Sequence, residues 1–329
     1  MESKAKPAAA SVLDSVLTNR LRMKDLALLC ALDDCRNLHQ ASEMVHISQP
    51  SATKMLQEIE HAFGFVLFTR HPRGMIPTDL GGKVLAYAKQ TLAGLEYFAK
   101  DLSIKQKGGY GYLAIGAIMG AAPDLIANAI LRLKAHNPLI HVQVLGETSD
   151  QILPMLELHK LDLAVGRFSS PLQHNQFAFE ELKSEELAFV ARVGHPLSGR
   201  TGLKLADLAE WPWVLQPMPN PTRTLLEQEF AANDMSTPAN IVECNSIFAI
   251  LQILQFGDAI ALISEPVVRD HLGAKLLCRL PLRIAPQLPA FGILTQRNAS
   301  LRPPAQAFVE ALRAVAGESA TTRKAKKPA

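Results

Sequence analysis

Amides, hydroxyls and one ammonium group gather at a single helix start, Ser48-Gln-Pro-Ser-Ala-Thr-Lys54. Gln49, Ser51 and Thr53 carry donors and acceptors that match base-pair edges, and Lys54 adds a cation for phosphate. Ser48 stands where an N-cap belongs, and Pro50 falls in the first turn, where its missing N–H costs nothing. The chemistry is recognition, by a helix entering the major groove of double-stranded DNA. Downstream, Val66-Leu-Phe-Thr-Arg-His-Pro-Arg-Gly-Met-Ile-Pro-Thr78 makes two extended runs about a Pro/Gly turn. Arg70 and Arg73 near its tip suit phosphates, as expected of a wing.

A second group of residues suits a small ligand. In α/β lobes, ligands bind where strands end and helix N-termini present N–H groups, an arrangement that favours negative charge. Met119-Gly120-Ala121, Thr148-Ser149 and the loop from Pro217 to Arg223 occupy such junctions, and Asn245-Ser246 caps a further helix. The candidate effector contacts are therefore Met119, Gly120, Ala121, Thr148, Pro217, Arg223, Asn245 and Ser246. Arg223 offers a bidentate clamp for a carboxylate, so the expected effector is a small anion. Capping alone accounts equally well for Ser149 and Ser246, and a solvated first-turn arginine for Arg223.

Motifs for catalysis and cofactors fail on inspection. Gly109-x-Gly111-x-x-Ala114 precedes a strand, whereas a dinucleotide fingerprint follows one and opens a helix. Gly81-Gly82-Lys83 has Pro77 where a phosphate loop needs glycine. No Gly-x-Ser-x-Gly or His-Glu-x-x-His motif occurs, and the histidines lack metal-ligand spacing. Cys30, Cys35, Cys244 and Cys278 are scattered, mostly within apolar runs, and read as core thiols. The expectation is no catalytic residue, no metal and no cofactor.

The recognition residues need a scaffold, and its apolar pattern is legible. Ala41, Val45, Ile47, Ala52, Leu56 and Ile59 form one seam across two helices, and an amphipathic helix at Asp25–Leu32 completes it. Residues 21–78 thus form a winged helix-turn-helix behind a lead at 1–20, expected to be flexible. From 79 to 107 the pattern becomes one long helix, with Leu80, Val84, Ala88, Leu92, Leu95, Ala99 and Leu102 in a stripe. At roughly 40 Å it is too long to pack only on a small domain. A partner helix is expected, with Leu92 and Leu95 in a dimer seam.

Beyond the Gly-rich hinge at 105–111, strands and helices alternate as βαβαβ and then in a second series, the sign of two α/β lobes. The effector-binding region is 108–317, with lobe I at about 112–167 and 268–317 and lobe II at about 168–267. Segments near Lys275–Leu280 and Ala290–Gln296 are expected to return to the first sheet. The basic tail, 318–329, reads as disordered.

Charge follows this division: residues 1–107 carry net +3, 108–318 carry −4 and 319–329 carry +4. DNA affinity must then come from a few placed residues, and the acidic middle region is unsuited to DNA. No apolar signal core opens the chain, and Asp258 interrupts the best candidate for a membrane span, so a cytoplasmic protein is expected.

The order of helix, Ser48-Gln49-Pro50 recognition helix, Leu67-Phe68-x-Arg70 wing and long helix resembles LysR-type transcriptional regulators, from Leu21 to about Arg313. The resemblance implies an N-terminal all-α winged helix-turn-helix plus linker helix. After it comes a C-terminal α/β two-lobed domain similar to periplasmic binding proteins. It also implies dimers that assemble into tetramers, and an effector contact at Thr148. Gly120 stands where aromatic-acid-responsive relatives often place serine. Val165-Gly166-Arg167 and Pro217–Pro221 are loosely similar to the subgroup regulating sugar uptake and protocatechuate breakdown. Two other readings remain: a metabolite-binding assembly protein without sequence-specific DNA binding, and an α/β enzyme. Arginines on a winged hairpin weigh against the first, and the missing catalytic motifs against the second.

Overall fold

Leu28, Leu29 and Leu32 on one helix meet Ala52, Leu56 and Ile59 on another, and this contact organises the N-terminal part of the chain. The computed structural model describes residues 20–325 except 73, 147, 169, 283–286 and 298. It divides into two compact units between Ser103 and Ile104.

The first unit holds α1 (Met23–Cys35), α2 (Leu38–Met44), α3 (Gln49–Phe63), a hairpin of β1 (Phe68–His71) and β2 (Gly74–Pro77), and most of α4 (Asp79–Gln106). Ala41 is buried in the same core, with Val45 and Ile47 packed at its edge and Leu85 of α4 closing it. The hairpin is antiparallel, with Arg70 opposite Met75. It hooks onto the end of α1, where the Met75 N–H donates to the Arg36 carbonyl at 2.8 Å. Gly74 makes this approach possible. Its φ is +107, and a Cβ there would collide with the Arg36 carbonyl.

The second unit is two α/β lobes. Lobe I has a five-stranded sheet in the order β4 (Ile140–Gly146), β3 (Gly111–Ala117), β5 (Leu163–Gly166), β12 (Phe291–Gln296), β6 (Phe177–Lys183). β3 is parallel to β4 and β5, whereas β12 runs antiparallel to β5 and β6. All seven residues of β3 are buried, as a central strand covered on both faces requires. The helices are α5 (Ala127–His136), α6 (Ser149–Glu157) and α11 (Pro303–Ala325).

Lobe II has an antiparallel sheet ordered β10 (Ala261–Ser264), β7 (Leu187–Arg192), β11 (Leu277–Arg279). A parallel pair, β8 (Trp213–Leu215) and β9 (Ile241–Glu243), is joined to it by a Trp213–Ile260 bridge. Around these lie α7 (Leu205–Ala209), α8 (Pro221–Ala232), α9 (Ile247–Phe256) and α10 (Glu265–Gly273). Trp213 packs edge-on to Phe189 and Phe230 at the centre of this lobe.

The lobe borders differ from the sequence expectation. Phe177–Lys183 pairs with β12 along its whole length and therefore extends lobe I to residue 183. Leu277–Arg279 does not return to the first sheet. It pairs with β7, where Leu277 joins Val190 and Val268 in the core of lobe II. The crossovers thus lie at about 184–186 and 280–290. Helix α11 runs on to Ala325, so residues 318–325 are helical rather than disordered. The Glu318 carboxylate accepts from Arg132 of α5 at 2.5 Å, which ties the start of this extension to lobe I. The lead at 1–19 and the last four residues lie outside the described residues.

Among the described residues, no helix is long and apolar enough to cross a membrane, and no His/Cys/Asp/Glu cluster suits a metal. All four cysteines are free and half-buried. Burial pushes the Cys30 thiol up to about 11, so it stays protonated and inert.

Candidate functional site

The start of α3 is built as its sequence requires. Ser48 is the N-cap, its Oγ accepting from the Ser51 N–H at 3.3 Å and lying 2.8 Å from the Ser51 hydroxyl. Pro50 sits in the first turn, and Ser48, Gln49, Pro50, Ser51 and Lys54 are exposed. Thr53 is half-buried and its hydroxyl donates to the Gln49 carbonyl at 3.0 Å. That leaves it an acceptor and a methyl for a base edge, with no free donor. Lys54 and Glu58 lie 3.7 Å apart on the open surface, a contact too solvated to hold the lysine from a phosphate. Arg70 is exposed on β1, within the hairpin strand rather than at its tip. Arg73 lies outside the described residues.

On α4 the buried side is Gly81, Leu85, Ala88, Ala93 and Tyr97. Leu92 is half-buried, whereas Tyr87, Leu95, Phe98 and Leu102 are exposed apolar side chains on one face. The open seam is therefore rotated from the predicted stripe: Ala88 points inward and Phe98 outward.

Between the two lobes lies a cleft open to solvent. Of the predicted effector contacts it is lined by Met119, Gly120 and Thr148. Ala121 is buried beneath it, and Pro217 lies in the adjoining loop while its neighbour Gln216 faces the cleft. Asn245 and Ser246 are exposed away from the lining, where Ser246 caps α9 by accepting from the Ala249 N–H at 3.3 Å.

Arg223 is not a carboxylate clamp. Its guanidinium is buried, donates to Glu227 at 2.5 Å and lies 3.8 Å from Glu243, so its charge is balanced inside lobe II. Several donors at or beside the helix starts are also engaged. Asn220 Oδ1 accepts from the N–H groups of Thr222 and Arg223 at 2.9 and 3.3 Å. Gln151 accepts from the Thr148 N–H and hydroxyl, and the Glu186 carbonyl from the Glu265 N–H at 2.8 Å. Arg223 is thus not among the residues that line the cleft.

The arginine that does face the cleft is Arg167, directly after β5. Nη2 donates to Glu185 at 2.5 Å and Nε to the Pro289 carbonyl at 3.1 Å, and the backbone N–H donates to Ser149 Oγ at 3.1 Å. Arg167 and Glu185 side chains are 8% and 6% exposed, so the pair is buried and nearly charge-neutral as a unit. Glu185 also explains Gly120: a Cβ there would run into Glu185 Oε1 and lie 2.8 Å from Ser264 Oγ. Arg167, Glu185 and Ser264 were not among the predicted contacts. Arg167 and Ser264 stand at the carboxyl ends of β5 and β10, the position from which they were recoverable.

Comparison with known proteins agrees with both units. Residues 23–82 match the family described as bacterial regulatory helix-turn-helix protein, lysR family, and 106–317 match the LysR substrate binding domain. The HTH-type transcriptional regulator GbpR of Azospirillum brasilense is 32% identical over 300 residues, covering 91% of this chain and 87% of that protein. PcaQ of Agrobacterium fabrum is 27% identical, covering 92% of this chain and 97% of its own. The fold of full-length CbnR complexed with its target DNA is similar, with a TM-score of 0.59 at 19% identity, covering 90% of this chain and 99% of that one. Matches on both units, at their expected places in one chain, leave a single assignment: this protein belongs to the LysR family of DNA-binding transcriptional regulators.

Proposed function

We propose that Gln49, Ser51 and Thr53 read base edges while Lys54, Arg70 and Arg73 hold phosphates, and that a small molecule in the interlobe cleft switches this activity. The observation that carries the reading is the start of α3: Ser48 fixes the helix end and leaves a row of polar side chains in solvent. A similar chain, CbnR, is known in complex with its target DNA, and the effector-binding domain of QuiR in complex with shikimate. Both precedents support a DNA-reading unit and a ligand-holding unit in one chain.

The exposed face of Leu95, Phe98 and Leu102 on α4 supports a dimer, which would present two α3 helices to two half-sites. Tetramers would pair two such dimers. The chain works by binding rather than catalysis, in the cytoplasm with its DNA. For a ligand to act as a switch it must bind two arrangements of the oligomer with different affinity. Footprinting of the DNA upstream of its own gene tests the reading. Two protected half-sites about one helical turn or a multiple apart are expected, and uniform coverage without half-sites would count against it.

A further inference from the structure

We infer that the cleft takes a small neutral polyhydroxylated molecule, of monosaccharide size, rather than an anion; this rests on the cleft being the effector site. The carrying observation is Ser264. Its Oγ is buried, lines the cleft and has no hydrogen-bond partner among the described residues. A buried hydroxyl without a partner is uncommon, and each such group asks what satisfies it. Gly120 packs beside it and offers no side chain, so the partner must come from the open cleft.

The charges on the cleft wall decide the ligand class. Arg167 is the guanidinium there, and Glu185 already balances it at 2.5 Å. An anion drawn to Arg167 must either sit beside the Glu185 carboxylate or displace it, leaving a buried carboxylate unpaired. Adjacent hydroxyls on a polyol meet no such conflict: one donates to Glu185 while the next accepts from Arg167. Among the described residues the remaining polar lining is neutral, from Thr148, Ser149, Gln216 and Thr222, and Ile118 and Ile263 supply an apolar surface for the C–H face of a ring. At the start of α8 the N–H groups of Thr222 and Arg223 are already taken by Asn220, which leaves neither for an anion.

Calorimetry on the full chain tests this with common aldohexoses, aldopentoses and myo-inositol, run beside D-glucuronate, D-galacturonate and D-gluconate. At least one neutral compound should bind, with its acidic counterpart about tenfold weaker or more. Ser264→Ala should weaken that binding about fivefold while leaving the free protein's melting temperature unchanged or higher. Glu185→Gln should weaken the polyol and strengthen the acids. An acid binding more tightly than its neutral counterpart, no neutral compound binding, or an affinity indifferent to Ser264→Ala would each overturn the inference. Anisotropy with upstream DNA separates this from the effector reading. A polyol that binds without altering DNA affinity or footprint contradicts the switch, not the ligand class. A DNA-competent protein that binds only acids contradicts the ligand class, not the switch.

Discussion

Arg167 and Glu185 form an ion pair at 2.5 Å with both side chains less than a tenth exposed, one after the last residue of β5 and the other where the chain leaves lobe I. Two charges this well buried hold each other in place, and removing one strands the other. Arg167→Met should therefore destabilise the effector unit by about 3–5 kcal/mol, and Arg167→Met with Glu185→Leu by much less. Urea unfolding of the two variants checks this. Equal losses would mean that the pair's packing, not its charge, matters.

The DNA contacts divide by role. Gln49→Ala should narrow the gap between operator and unrelated DNA by about 1–3 kcal/mol for a lost bidentate base contact. Arg70→Ala should weaken both alike and lower the slope of log K against log salt by about one. Anisotropy titrations at several salt concentrations separate the two effects, and loss of specificity from Arg70→Ala would falsify the division.

Assembly should depend on the outward face of α4. Leu95→Lys with Phe98→Lys places two like charges in the proposed apolar seam. Sedimentation should show smaller assemblies, and footprints should shrink to half-sites. An unchanged assembly state would place the dimer contact elsewhere.

Lobe II should lose stability in mild acid. His195 is buried against Trp211, with ring centroids 4.4 Å apart. Its Nδ1 accepts from the Leu197 N–H and its Nε2 donates to the Asp258 carbonyl, both at 3.2 Å, so the neutral ring is the one that fits. Burial holds its pKa below the ordinary histidine value. A lowered folded-state value means the unfolded chain takes up the proton first. Stability is then complete above about pH 6.5 and falls as pH drops toward the folded value, where the loss levels off. The melting temperature of lobe II should decline between pH 7 and pH 5.5, and His195→Gln should flatten that slope. A wild-type slope retained in the variant would assign the acid sensitivity to other groups.

Local features of this fold were readable where the determining residues are neighbours in sequence. The Ser48 cap, Pro50 and the seam from Ala41 to Ile59 each depend on spacing within a turn or two, and they stand as expected. The effector contacts were harder, because they depend on where distant elements meet. Arg223 looked like a clamp from its place in the first turn of α8. Its guanidinium instead pairs with Glu227 one turn on, a partner that the spacing of four did offer, and lies beside Glu243, twenty residues away. Arg167 and Glu185 are brought together only by sheet order, which periodicity does not encode. Leu277–Arg279 was assigned to the wrong lobe for the same reason: its pattern says strand, but not which sheet.

The most direct test of the account is a titration of the purified chain onto the DNA upstream of its own gene. It should be run against a shuffled sequence of equal length, at low and at physiological salt. The account predicts tight binding to the native sequence at both, with a specificity ratio of about 10³ or more at physiological salt. Equal affinity for the two sequences, fading together as salt rises, would contradict it, since that is the behaviour of a basic surface that reads nothing.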